Sequence, residues 1–274
     1  MKTTEQPTPV MPATEADVQQ EAARRSRRSF IRLGLAGLAG LGGWGWLVTR
    51  PEAEGIPVPL RRVLEANGQL SAEYFSTARL APVFPKSQAK APRVNGHVGL
   101  KGDFDAAAWR LRVQGYAPAG GAVRTQEFTL ADTQALPRVE MTTELKCIEG
   151  WCTVVSWAGA RLADFLARYP LATDPRPVAG TGRPADQARY VSLTTPDGSY
   201  YVGLDLASAL HSQTLLCYEM NGQPLTADHG APLRLVTPLK YGIKHLKRIG
   251  TIAFTDQRPR DYWAERGYDW DSGH

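Results

Sequence analysis

One uncharged apolar run, the sixteen residues from Leu33 to Val48, constrains this 274-residue chain more than any other feature. The run is slightly shorter than the roughly 20 apolar residues that a membrane span usually needs, and it is rich in glycine. It follows a basic stretch, which is the plan of a secretory signal. A buried amphipathic helix is the less favoured alternative, because the run has no polar face. Since no second run of this kind exists, the sequence excludes a multispan membrane protein.

The basic stretch, Ser26-Arg27-Arg28-Ser29-Phe30-Ile31-Arg32, resembles the twin-arginine signal of bacteria. This resemblance implies export to the periplasm by the twin-arginine machinery, which carries proteins that are already folded, often around a cofactor. No Ala-x-Ala cleavage site follows Val48. Two fates of the signal therefore stay open, namely cleavage and retention as a membrane anchor.

Most of the positive net charge of the chain lies in this N-terminal segment. The net charge is +5, of which residues 1–50 carry +3 and the other 224 residues carry +2. The body has no basic run with interleaved aromatic residues, so we expect no nucleic-acid partner. An apolar fraction of 43% and a charged fraction of 22% are ordinary for a globular protein.

Beyond the signal, the sequence predicts a single folded unit. We expect residues 1–56 to form a disordered N-terminus, over the polar residues 1–20, plus the signal or anchor. Residues 57–274 are expected to form one α+β domain, because helical and alternating apolar spacings are interspersed and no linker divides them. Helices are predicted within 57–80, at 161–169 and after Asp205, with a loop at 170–188. Strands are predicted at 109–113, 139–145, 189–195, 199–204, 214–219, 232–237 and 248–255.

Cys147 is the most informative of the three cysteines. It follows directly on the alternating strand at 139–145 and precedes Gly150, and a thiol at the end of a strand projects into a cleft. Two purely structural alternatives stay open, namely that Cys147 is a buried inert thiol or that it forms a disulfide with Cys152.

The segment 221–250 is the second region with a chemical signature. It contains the cations Arg234, Lys240, Lys244 and Lys247 among glycines and prolines, which predicts a site for an anion such as a phosphate. A solvated cationic face is the alternative, and His229 alone is more often structural than a ligand.

These segments together resemble a known family. Leu145-Lys146-Cys147-Ile148-Glu149-Gly150-Trp151, with Trp157-Ala158-Gly159 and Leu162, resembles the cysteine segment of the sulfite-oxidase superfamily of molybdopterin enzymes. His229-Gly230-Ala231-Pro232-Leu233-Arg234, with Pro238, Tyr241-Gly242, Lys244 and Lys247, resembles its second signature. Arg93-Val94-Asn95-Gly96-His97 loosely resembles its first cofactor-contacting loop, and the order of these motifs agrees over 93–254.

The resemblance implies a sulfite-oxidase-type domain with mixed β-sheets and short helices. It makes Cys147 the single protein ligand of molybdenum, and a thiolate is a soft donor suited to such a metal. By position, the pterin and its phosphate would be held by Asn95, Val98, Gly99, Thr195, His229, Arg234, His245, Leu246 and Lys247.

The residues after Cys147 favour one branch of the family. The Asn-Arg pair of eukaryotic-type sulfite oxidases is absent, and Ile148-Glu149-Gly150-Trp151 resembles instead the bacterial periplasmic branch that includes the protein-methionine-sulfoxide reductase catalytic subunit. This implies two-electron oxygen-atom transfer, as sulfoxide reduction or sulfite-type oxidation, with electrons exchanged with a haem partner. Trp151 and an unidentified polar group are expected to line the open face of the metal. Two other functions stay open, namely a non-catalytic cofactor-binding accessory subunit and a metal-free thiol oxidoreductase using Cys147 and Cys152.

Overall fold

The computed structural model describes residues 15–74, 76, 78–101, 104–117, 122–173 and 187–274. The chain separates into two compact units, one of residues 1–52 with 57–59 and the other of residues 53–56 with 60–274. The first unit contains the N-terminal helix, and the second contains the two five-stranded β-sheets and the cysteine and histidine segments of the sequence.

Helix α1 extends from Glu15 to Val48 over 34 residues. Its section Ser26–Val48 has a mean hydropathy of 1.3 and is long and apolar enough to cross a membrane, a property that signal sequences share. The prediction of disorder over residues 1–20 is wrong from Glu15 onward, because this stretch is rich in Ala, Glu, Gln and Arg, which are strong helix formers. The first fourteen residues lie outside the described part of the chain.

A short hairpin and a second helix follow α1. The hairpin consists of β1 (Glu52–Ala53) and β2 (Ile56–Pro57), and helix α2 extends from Val58 to Tyr74. The helix predicted within 57–80 is therefore confirmed and ends at Tyr74.

One antiparallel β-sheet, one mixed β-sheet and three short α-helices are the main elements of the rest of the described chain. The strands are β3 (Leu111–Gln114), β4 (Thr125–Phe128), β5 (Arg138–Lys146), β6 (Cys152–Arg161), β7 (Tyr190–Thr194), β8 (Tyr201–Asp205), β9 (Leu215–Met220), β10 (Gln223–Pro224), β11 (Arg234–Val236) and β12 (Thr251–Thr255), and the helices are α3 (Leu130–Gln134), α4 (Leu162–Arg168) and α5 (Leu206–Ala209). One sheet has the order β10-β9-β6-β5, with β11 also paired to β9, and the other has the order β4-β3-β12-β7-β8. Strand β12 pairs parallel with β3, whereas the other pairs are antiparallel. The α+β class with mixed sheets and short helices is thus confirmed.

The sequence missed strand β6, which is the centre of the first sheet. Its second half, Ser156 to Ala160, is buried on both faces, so apolar and polar residues do not alternate there. All seven predicted strands are present, with shifts of one to three residues at their ends. Asp205 caps α5 by accepting a hydrogen bond from the Ser208 amide, as predicted.

Two apolar clusters hold the sheets. The larger one joins β3, β7, β8 and β12 to helix α4, whose Leu162 and Phe165 are fully buried. The smaller one lies on the first sheet and includes Val155, Trp157 and Leu215. Trp157 also lines a cavity at the end of the β5–β6 hairpin.

Candidate active site

A partly open cavity of about 170 Å³ lies beside Cys147. Four segments of chain form most of its wall, namely the 92–98 loop, the β5–β6 hairpin, the 229–247 region and the C-terminal segment 263–268, and Tyr200 and Met220 complete it. The three motifs that were far apart in the sequence therefore meet at one site.

The β5–β6 hairpin turns the Cys147 thiol toward this cavity. Cys147 and Trp151 close the turn, since the Cys147 amide donates to the Trp151 carbonyl at 2.9 Å. Because side chains alternate along a strand, the cavity is lined by every second residue of the hairpin, namely Leu145, Cys147, Trp151, Thr153, Val155 and Trp157. Cys152 pairs with Lys146 in the ladder and its exposed side chain belongs to the opposite face. This alternation separates the two thiols and disfavours their disulfide.

Three polar side chains surround the thiol at the mouth of the cavity. The Cys147 Sγ lies 3.8 Å from both Glu149 Oε2 and Asn95 Nδ2. The indole of Trp151 donates to Glu149 Oε2 at 2.9 Å, and the guanidinium of Arg93 lies 4.9 Å from the centre of the Trp151 ring. Glu149 and Arg93 thus lie beside Trp151 at the mouth of the cavity.

The environment of Cys147 does not favour a free thiolate. Burial raises the pKa of the Cys147 thiol, and the Glu149 carboxylate raises it further, whereas Arg93 acts in the opposite direction. A thiol with a raised pKa is protonated at neutral pH and is a poor nucleophile. Without a metal to displace the proton, this cysteine is therefore unsuited to thiol redox chemistry.

The inner wall carries a buried cation and a buried imidazole. Arg234 lies over the Trp157 ring at 4.9 Å, and its Nη1 donates to the His229 carbonyl at 3.1 Å. His245 Nε2 lies 3.0 Å from the Thr237 carbonyl oxygen. Burial, with Arg234 second, lowers the pKa of His245 to about 3, so the ring is neutral. Its single proton must lie on Nε2, facing that carbonyl, and Nδ1 is therefore an acceptor.

Three atoms of cavity-lining residues are buried and have no partner, namely Trp157 Nε1, Arg234 Nε and His245 Nδ1. The first two are hydrogen-bond donors and the third is an acceptor. A buried polar group without a partner costs about 1–3 kcal/mol, so such a group of atoms at a cavity indicates a ligand that supplies the missing hydrogen bonds.

Lys247 joins two segments of the cavity wall through hydrogen bonds. Its Nζ donates to the carbonyl oxygens of Asn95 at 2.7 Å, Gly96 at 3.1 Å and Asp228 at 2.8 Å. A side chain at Gly230 would place its Cβ 2.7 Å from the Lys247 Cβ, so only glycine lets these segments approach. Burial, with Arg234 second, lowers the pKa of Lys247 to about 8. Its predicted contact with a phosphate stays a prediction, since all three ammonium protons have protein acceptors here.

The prediction that four neighbouring cations form an anion site is wrong for two of them, Lys240 and Lys244. Lys240 pairs with Asp271 at 2.6 Å, and Lys244, which is fully buried, pairs with Asp261 at 2.6 Å. Neither lysine lines the cavity. A buried ammonium needs a carboxylate, and the C-terminal segment, distant in sequence, supplies both.

The predicted cofactor-contacting residues divide into two groups. Cys147, Asn95, Val98, His229, Arg234, His245 and Lys247 line the cavity. Gly99, Thr195 and Leu246 are not among its lining residues. Gly99 packs against Thr195, whose hydroxyl donates to Asp197 at 2.6 Å, and Leu246 is buried in the larger apolar cluster with both backbone groups paired.

The sequence did not assign the aromatic side of the cavity, which consists of Tyr200, Trp263 and Tyr268. The buried Arg61 of α2 holds this side in place by donating to the carbonyl oxygens of Ala264 at 2.6 Å and Tyr268 at 3.0 Å. The density of aromatic residues in 258–274 was the available signal, but it carries no information on where they point.

The chain matches the family described as oxidoreductase molybdopterin binding domain over residues 97–263. It is 31% identical over 251 residues to the "Putative protein-methionine-sulfoxide reductase subunit YedZ1" of Azospira oryzae, which covers 90% of this chain and 88% of that protein. It is 34% identical over 161 residues to the protein-methionine-sulfoxide reductase catalytic subunit MsrP of Xanthomonas campestris, which covers 57% of this chain and 48% of that protein.

Among solved structures, the crystal structure of the sulfane dehydrogenase SoxCD from Paracoccus pantotrophus matches 66% of this chain and 46% of that chain, with a TM-score of 0.47 and 17% identity. The chain spans about half the length of the MsrP relatives, as the 48% coverage states. The family match confirms the resemblance that the cysteine and histidine segments indicated. The chain belongs to the oxidoreductase molybdopterin-binding family and is a molybdopterin-dependent oxidoreductase of the sulfite-oxidase type.

Proposed function

We propose that this protein reduces sulfoxides, with methionine sulfoxide in proteins as the main substrate, by two-electron oxygen-atom transfer at a molybdenum–molybdopterin centre bound through Cys147. The name of the Azospira relative, 88% of which is covered by the chain, supports this substrate class. Sulfite-type oxidation is the competing reaction, because both reactions use the same centre in opposite directions.

The observation that carries the proposal is one cavity with Cys147 on its wall and three unpartnered buried polar atoms among its lining residues. Among the described residues, no three His, Cys, Asp or Glu side chains are grouped to hold a metal ion. A metal at Cys147 would therefore need further ligands from a cofactor, and a pterin dithiolene would supply them. When bound, this group supplies a metal that accepts and donates two electrons.

The inner wall suits the pterin. Arg234 Nε is free to donate and His245 Nδ1 is free to accept, and a pterin ring system with its phosphate offers partners of both kinds. Asn95 orients toward the Cys147 sulfur, and Lys247 holds the loop that carries Asn95 against the 228–230 turn. We assign Arg234, His245, His229 and Asn95 to holding the cofactor, with Lys247 positioning that loop.

The mouth of the cavity suits a sulfoxide. The S–O bond places negative charge on oxygen, and Arg93 is the cation beside the thiol at the open face. Reduction consumes two electrons and two protons and releases a thioether and water. Glu149 is the carboxyl group among the lining residues, and its Oε2 is placed to pass a proton to the mouth. Trp151, Trp263 and Tyr268 offer ring surfaces on which the thioether sulfur packs favourably.

The electrons come from a haem-containing partner, and the folded protein reaches the periplasm by the twin-arginine route. The Arg27-Arg28 motif before the apolar section of α1 supports this route.

The first test is the molybdenum content of protein made in a host that synthesises the cofactor. Plasma mass spectrometry should find about one molybdenum per chain in the wild type and in Cys152→Ser, and none in Cys147→Ser. Molybdenum retained in well-folded Cys147→Ser would refute the ligand assignment. Loss of activity in Cys152→Ser without bound molybdenum would favour the metal-free thiol oxidoreductase.

The second test separates the reactions. With a reduced viologen dye as donor, the holoenzyme should reduce methionine sulfoxide in an oxidised protein, and Arg93→Ala should raise KM more than it lowers kcat. Sulfite oxidation with ferricyanide, in the absence of sulfoxide reduction, would overturn the proposed direction. Bound molybdenum without turnover in either assay would favour the accessory role.

A further inference from the structure

Helix α2 turns its apolar side outward. Leu60, Val63, Leu70 and Tyr74 follow the spacing of one helix face, and they are 41%, 56%, 52% and 81% exposed. We call these four residues the α2 stripe. Helices of globular domains normally bury such a face, so the α2 stripe lacks the partner that its composition requires.

The side of α2 that faces the domain carries Arg61, Leu64 and Gly68. Its most buried residue is Arg61, which is 4% exposed and donates to the carbonyl oxygens of Glu54, Ala264 and Tyr268. Arg61 thus fixes the rotation of the helix about its axis. The stripe cannot turn inward without breaking these buried hydrogen bonds, so its exposure is built into the fold.

The chain itself indicates what lies near the stripe. Nine residues connect the end of the membrane-length section of α1 at Val48 to the start of α2 at Val58. A fully extended chain of that length reaches at most about 32 Å. If α1 stays in a membrane, α2 must therefore begin close to the surface of that membrane.

We propose that the α2 stripe docks on the surface of the lipid bilayer in which α1 is anchored. The inference rests on the proposed export of the chain and on retention of the signal as an anchor. A stripe of four side chains on one helix is narrow beside the roughly 800 Å² that each partner buries in a stable protein interface. A tethered helix needs less, because the anchor supplies a high effective concentration of its binding surface.

One cation near α2 is compatible with this position. Arg50 is exposed in the connection from α1, where it can reach anionic head groups, as lysine and arginine stems do at interfaces. Glu65 and Glu73 are exposed at positions off the centre of the stripe. Tyr74 adds an aromatic ring with a polar tip, the type of side chain enriched at this depth.

Hydrogen–deuterium exchange of the full-length holoenzyme in nanodiscs of phosphatidylcholine and phosphatidylglycerol tests the proposal. Val63→Asp places a charge at the stripe, and Gln69→Asp places the same charge at an exposed position off it. We expect peptides from 58–74 to exchange about tenfold faster in Val63→Asp than in the wild type or Gln69→Asp, which is the effect of losing one buried valine. Molybdenum content checks that each variant is folded, and Val63→Ser replaces Val63→Asp if that variant fails the check.

Three results would overturn the proposal. Equal exchange of α2 in all variants means that no lipid covers the stripe, and protection that requires two chains in one disc means that a second copy covers it. Unprotected exchange of both α1 and α2 means that α1 is not anchored in the membrane, which the proposal requires. The molybdenum and sulfoxide assays are independent of these outcomes, so the proposed function can stand when this inference falls.

Discussion

Replacing Lys244 with methionine gives the sharpest test of how the buried charges are arranged. The Lys244 ammonium is fully buried, 2.6 Å from Asp261 Oδ2 and 2.9 Å from the Gly203 carbonyl. Methionine has a similar length and no charge, so Lys244→Met leaves the carboxylate of Asp261, which is 2% exposed, without its cation.

The expected loss of stability follows from what remains around Asp261. Removing one partner of a buried ion pair typically costs about 3–5 kcal/mol. Asp261 keeps hydrogen bonds from the amides of Gly203, Trp263 and Ala264, each at 3.1 Å. These amides still stabilise the carboxylate, so we expect a loss near the lower end, about 3 kcal/mol.

Urea unfolding measures this loss, and an exposed ion pair provides the control. A loss of about 3 kcal/mol lowers the midpoint by about 1 M, for a slope of about 2–3 kcal/mol per M. Lys86→Met breaks the Lys86–Glu140 pair, in which Lys86 is 59% exposed, and should cost less than about 1 kcal/mol. The double variant Lys244→Met/Asp261→Asn should recover part of the stability, because no unpaired charge remains.

The reasoning is refuted if Lys244→Met unfolds at the same urea concentration as Lys86→Met. A second contrary result is loss of bound molybdenum at unchanged stability. That outcome would return Lys244 to the anion site that the sequence indicated and would remove it from the framework of the domain.

Three further predictions concern residues around the cavity. Gly99→Ala should lower the free energy of unfolding by about 1–3 kcal/mol, because φ is +78° and the new Cβ would lie 2.3 Å from Thr195 Cγ2. In a double-mutant cycle, Thr195→Ser should recover part of this loss, because serine lacks that methyl group. Cys152→Ser should keep full sulfoxide reductase activity in a dye-linked assay, whereas Cys147→Ser should have none. In cofactor-free protein, the unfolding free energy should rise between pH 8 and about 10.4, because folded Lys247, with a pKa of about 8, loses its proton before the unfolded chain does; urea titrations of Lys247→Met should lack this rise.

The sequence predicted the local elements of the cavity wall well. The alternation in 139–145 identified β5, and the position of Cys147 directly after it predicted a thiol at a cleft, which the hairpin geometry supports. A strand with one polar face can be recognised in a sequence, because apolar and polar residues alternate along it with a period of two. Strand β6 was missed because burial on both faces removes that period.

The direction of the charged side chains could not be predicted in the same way. Lys240, Lys244 and Lys247 lie within eight residues, yet their partners differ. Lys240 pairs with Asp271, Lys244 pairs with Asp261, and Lys247 donates to the carbonyl oxygens of the 95–96 loop. The acceptors come from distant segments, and spacing along the chain contains no information about them. The aromatic side of the cavity and its support by Arg61 depend on the same kind of long-range contact.

The sequence by itself determined the family, the two motifs, the position of the cysteine and the membrane-length apolar run, because these depend on the order of residues over short stretches. Only the tertiary structure decided which cations face the cavity, which polar atoms there lack partners, and which face of α2 is exposed. Burial sets these outcomes, because a buried charge needs a partner of opposite charge or a hydrogen bond, and the groups that supply these come from segments that are distant in sequence.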